Sequence, residues 1–138
     1  MEEKEINKLL EEWQERLGLQ DWMILLRYDC AIEDMTNPNW AGENNWDTIN
    51  KTSVIKIISK EQYGDNRIMD FDFEKILVHE LLHIKFARIS FTTDNYEGNI
   101  ASDLRHSILE DLARALVLAK RGETKRYLTK NCKKVRKI

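Results

Sequence analysis

Residues 73–87 read FEKILVHELLHIKFA, and this stretch decides how the rest of the chain is read. Its apolar positions run nearly all round a helical wheel, which predicts a buried helix over about 72–88. Asp70 or Asp72 stands where an N-terminal cap is needed. Inside the helix, His79-Glu80-Leu81-Leu82-His83 is an HExxH pentapeptide. Positions i and i+4 lie one above the other on a helix face, so both imidazoles can reach one metal ion. Glu80 is turned off that line beside His79, where it can take a proton from a water at the metal. On average residue usage such a pentapeptide arises by chance in well under roughly one chain in a hundred of this length. Two histidines and a glutamate in an apolar helix are costly unless paired, hydrogen-bonded or metal-bound. The chemistry expected is a site for one zinc ion with Glu80 as general base. Packing of buried polar groups without a metal is the competing reading.

A catalytic zinc site takes a third protein ligand and leaves one position open. No further histidine follows closely, since the chain after His83 reads IKFARISF. The ligand must then come from another element, and a long helix expected over about 103–121 offers His106, Glu110 and Asp111. Glu110 borders the apolar face made by Leu104, Ile108, Leu109, Leu112, Ala115, Leu116 and Ala119, so it is taken as the third ligand. An ion pair with Arg114 at i+4 is the alternative for it. Asp111 reads as a solvated carboxylate. His106 lies four residues before Glu110 on the same face. It can hydrogen-bond Glu110, donate to a developing oxyanion, replace Glu110 as ligand, or be an ordinary helix histidine. Tyr96 is a weaker candidate for the oxyanion.

Working outward, residues 2–17 place Ile6, Leu9, Leu10, Trp13 and Leu17 at helical spacing, with Gly18 at the expected stop. Residues 22–32 (WMILLRYDCAI) read as a buried strand. Asp34 to Asn39, around the only proline, read as a turn. Residues 40–49 (WAGENNWDTI), with Gly42 and spaced tryptophans, suit an edge strand, and 52–59 (TSVIKIIS) a third strand. With no helix between them, these second and third strands are expected to pair antiparallel, in a small antiparallel or mixed sheet of about three strands. Residues 60–71 read as loop, 89–102 as irregular, and Gly122 closes the long helix. The sum is an α+β fold in one domain over 1–138, ending in a basic tail at about 123–138.

The bulk numbers set limits. The 138 residues suffice for one core without disulfides, and 33% charged with 42% apolar residues is ordinary for a folded chain. A net charge of −2 carries no global signature of a polyanion binder, although the tail holds seven lysines and arginines between Lys125 and Lys137. Cys30 and Cys132 have no metal-ligand spacing, and nothing asks for a disulfide. No stretch reaches transmembrane length and the N-terminus has no apolar signal core, so a cytoplasmic location and no membrane partner are expected.

With those residues in place, the sequence resembles the gluzincins, HExxH metallopeptidases whose third ligand is a glutamate on a later helix. More narrowly it is similar to small phage- and prophage-encoded metallopeptidases, close in size to the minigluzincins. The stretches that carry this are LGLQDW (17–22), AGENNWD (41–47), TSVIKI, the HELLH helix and ILEDLARAL (108–116). Only HELLH is specific by itself. The ExLAxAL pattern adds to Glu110 as third ligand. The resemblance implies a zincin-like arrangement, a small sheet above an active-site helix and a glutamate helix, with an edge strand pairing an extended peptide substrate. Residues 40–49 would supply that edge, with Trp46 beside the cleft; for Trp40 and Trp46 alike, packing in the core or sheet is the alternative.

The expected function is a zinc endopeptidase acting on peptide or protein, with Glu80 as base and then proton donor. A zinc-bound, non-catalytic interaction module is the runner-up, against which the intact Glu80 argues. A nucleic-acid-associated protein is suggested only by the basic tail, for which a solvated charge run is the simpler account.

Overall fold

The computed structural model describes residues 1–64, 67–87 and 98–123. Chain order is α1 (Glu3–Arg16), β1 (Met23–Cys30), a 3-10 turn (Ile32–Asp34), β2 (Gly42–Asp47), β3 (Thr52–Ile58), α2 (Lys60–Tyr63), α3 (Phe73–Lys85) and α4 (Gly98–Arg121). The architecture is α+β, with a three-stranded mixed sheet in the order β1-β3-β2.

Strand β3 takes the centre because it is the most apolar, and Ile55 and Ile57 are fully buried there. It pairs antiparallel with β2 and parallel with β1. The antiparallel pairing expected for the second and third strands is thus observed, within a mixed sheet. Lack of an intervening helix does not force a hairpin, because the 3-10 turn and β2 together act as the crossover from β1 to β3. Strand β1 is also not buried on both faces. Its exposure alternates, with Met23 and Leu25 facing outward and Ile24 and Leu26 packing inward, as an edge position requires. A break in register between Arg27 and Cys30, with Asp29 at φ 53°, marks a bulge that ends the regular pairing.

The helices follow local signals. Glu2 and Glu5 form a capping box at the start of α1, and Gly18 takes the left-handed φ of 65° that ends it. Asp72 caps α3, its Oδ1 accepting from Lys75 N at 3.0 Å. The stretch expected as loop contains α2, capped by Ser59, whose hydroxyl accepts from Gln62 N. Likewise α4 begins at Gly98, inside the stretch expected to be irregular, since a glycine is tolerated in a first turn.

Helix α3 is the hub. Ile76, Leu77, Val78, Leu81, Leu82 and Ile84 are all buried, between the sheet, α1 and α4. On α4 the face that packs is Leu109, Ala113 and Val117, not the wider stripe expected. Leu104 and Ile108 are 58% and 55% exposed. The small Ala113 lets the two helices approach closely, which fixes the rotation of α4 and turns its other apolar side away. Residues Glu74, Trp13, Lys120 and Arg121 tie α3, α1 and α4 together: Trp13 Nε1 donates to Glu74 at 2.7 Å, Arg121 pairs with it at 3.1 Å and Lys120 closes the set. Among the described residues no helix is long and apolar enough to cross a membrane. Tyr96, Cys132 and the basic tail beyond Glu123 lie outside the described residues.

Candidate metal centre

The site lies where α3, α4 and β2 meet. A cleft of about 690 Å³ is lined by Trp40, Asn44, Trp46, Glu80, His83 and Glu110, among others. Helix spacing puts His79 and His83 on one face of α3, as the pentapeptide requires, and α4 brings His106 to the same point. Ligand-capable atoms of the three lie within 4.8 Å of one another. Ring centres are 5.0 Å apart for His79 and His83, 4.9 Å for His83 and His106, and 5.9 Å for His79 and His106. Three imidazoles bound through nitrogen at about 2.0–2.1 Å in tetrahedral directions have ring centres about 5 Å apart, so the donor set fits a zinc-sized ion.

The electrostatics suit a cation. Burial holds the His83 imidazole down at about 3, with the neighbouring His79, His106 and Arg105 adding to the effect, so the ring is neutral and its lone pair is available. His83 Nδ1 is buried without a hydrogen-bond partner among the described residues. Glu110, half-buried on α4, places Oε2 2.9 Å from His79 Nδ1, and its Oε1 is bound by Lys75. Burial works against the Glu110 carboxylate, but the hydrogen bonds from His79 and Lys75 outweigh it and hold the group at about 2. Glu110 is thus anionic. Arg114 stands 3.8 Å from it at i+4, so the alternative ion pair is present but long. Asp111 is exposed, as a solvated carboxylate should be.

Glu80 is only 4% exposed. Burial raises its carboxyl to about 7, the effect of His79 opposing and those of Glu43 and Glu110 adding. Its position is set by β2. Asn44 Nδ2 donates to the Glu80 carbonyl at 2.7 Å, and Ser53 Oγ donates to Asn44 Oδ1 at 2.6 Å and so orients the amide. Gly42 makes the approach possible: a Cβ there would lie 2.7 Å from Glu80 Oε1 and 2.8 Å from Ile76 Cγ2. Trp46 stacks on His83 with ring centres 5.8 Å apart, and it is partly exposed at the cleft.

The cleft therefore gathers His79, Glu80, His83, His106 and Glu110, all of which the sequence singled out. Sequence reasoning gave no role in the site to Lys75, Asn44 or Ser53, and read Gly42 only as a feature of an edge strand. Lys75 did leave a trace, as a cation in an otherwise apolar helix one turn before His79; the other three only acquire a role once β2 is laid on α3. Comparisons with protein-family models, with curated proteins and with solved structures found no match.

Proposed function

We propose that this chain is a small zinc metallopeptidase of the HExxH class, zincin-like in arrangement and akin to the gluzincins in drawing its third ligand from a later helix. The observation that carries the reading is a buried carboxyl, Glu80, beside three convergent imidazoles, under a strand edge that no other strand covers among the described residues. His79 and His83 hold one zinc ion from α3, and α4 supplies the third ligand from the face that carries His106 and Glu110. When bound, zinc supplies Lewis acidity and a hydroxide near neutral pH.

The residues of the chain do the rest. Strand β2 has no strand on its outer side among the described residues, so an extended peptide can pair along it. Trp46 and Trp40 then flank the bound chain at the cleft. Glu80 accepts a proton from the attacking water and returns it to the departing amine nitrogen as the carbon–nitrogen bond breaks. Burial of Glu80 raises the affinity of its carboxyl for a proton, which favours its part in both transfers.

The test is a metal assay joined to a digest. Purified chain should hold one zinc, His83→Ala should lose it, and Glu80→Gln should keep the metal while ending cleavage of a peptide library. Absence of zinc under non-chelating conditions sinks the proposal. Zinc present, with no cleavage above the Glu80→Gln background, identifies instead a non-catalytic zinc-bound module.

A further inference from the structure

We propose that His106 is the third metal ligand and that Glu110, held by Lys75, is a positioning residue that fixes the tautomer of His79. The inference rests on the metal reading above and departs from a glutamate-type ligand set. On α3, Lys75 and His79 are four residues apart, and on α4, His106 and Glu110 are four apart, so two helices present matched pairs on facing sides. The Glu110 carboxylate bridges the pair on α3, one oxygen to Lys75 and the other to His79 Nδ1 at 2.9 Å. A carboxylate is an acceptor, so the ring must donate from Nδ1, and in the neutral ring this leaves the Nε2 lone pair for a metal.

Both Glu110 oxygens are engaged in this way. Recruiting Glu110 as a ligand would draw it from Lys75, which is only 9% exposed, and leave an ammonium without its partner in the interior. The ring of His106 already stands in the cluster with His79 and His83. The buried lysine thereby acquires a purpose: it keeps Glu110 turned toward His79.

Three measurements test this, two of them without any variant. X-ray absorption of the zinc-loaded wild-type chain should count three imidazoles; two imidazoles and a carboxylate would overturn the assignment. Nitrogen-15 NMR of the metal-free chain, recorded where the ring is neutral, should find the His79 proton on Nδ1, and a neutral ring with its proton on Nε2 would overturn the positioning role. Lys75→Met and Glu110→Ala should each return His79 to a mixture of tautomers. Glu110→Ala should weaken zinc binding about 10–100-fold while the count stays at three imidazoles. His106→Ala should weaken it far more, and a smaller loss than for Glu110→Ala would overturn the ligand assignment. A chain that binds no zinc overturns the metallopeptidase reading, whereas the tautomer of His79 in the metal-free chain judges the positioning pair by itself.

Discussion

At Gly42 a single missing methyl group decides how near the strand edge can come to the Glu80 carboxyl. Gly42→Ala would put a carbon 2.7 Å from Glu80 Oε1 and 2.8 Å from Ile76 Cγ2, so the strand or these packed side chains must shift. Overpacking of this kind costs about 1–3 kcal/mol. The expected result is that loss of stability in urea unfolding and, on the proposed metallopeptidase function, lower turnover because Glu80 is displaced. Unchanged turnover would show that the contact between β2 and Glu80 has no part in catalysis. Asn44 acts through the same contact, donating to the Glu80 carbonyl at 2.7 Å. Asn44→Ala leaves Ser53 Oγ without its acceptor and should cost about 1–3 kcal/mol. Neither residue could be singled out in sequence, where a glycine and an asparagine in a polar strand read only as edge features.

At the scale of elements, α4 shows how far periodicity carries. Its helical pattern was legible, but the stripe of seven apolar residues was too broad to say which side packs, and the long-range fit to α3 selected Leu109, Ala113 and Val117. Leu109→Ala should therefore cost about 2–5 kcal/mol, as large-to-small changes in a core do. Ile108→Lys, one position away and 55% exposed, should stay within about 0.5 kcal/mol. Thermal or urea unfolding of the two variants checks the pair, and an equal loss in both would contradict the rotation described for α4. The choice of face also matters for the site, because the same rotation turns His106 and Glu110 toward α3.

At the scale of the whole molecule, Glu74 joins three helices, and this makes acid stability predictable. Burial raises its carboxyl, but hydrogen bonds from Lys120, Trp13 and Arg121 outweigh burial and hold it below its ordinary value of 4.5. A carboxyl depressed in the fold contributes fully above the ordinary value and loses its contribution as pH falls through the folded one. Hydrogen bonds to a charged group are worth about 1.5–3 kcal/mol. Glu74→Gln should therefore lower stability by about that amount at neutral pH, with the difference from wild type shrinking toward zero under acid. A difference that does not change with pH would mean that packing, not charge, makes the contribution. The network also places the end of α4 against α1 and α3, and so holds the helix that carries His106.

The amino-acid sequence by itself determined the parts of this protein that depend on local spacing. The i, i+4 repeat of the helix aligns His79 with His83, a run of apolar residues on every side buries that helix, and Asp72 and Gly18 mark ends by their own hydrogen bonding and backbone freedom. Residues far apart in the chain carry no such periodic signal. Only the tertiary structure decided that β3 lies between β1 and β2, which face of α4 is buried, and that Glu110 meets His79 and Lys75 while His106 closes the histidine cluster. Each of those outcomes depends on how two surfaces fit, and shape at a contact is a property of both partners at once.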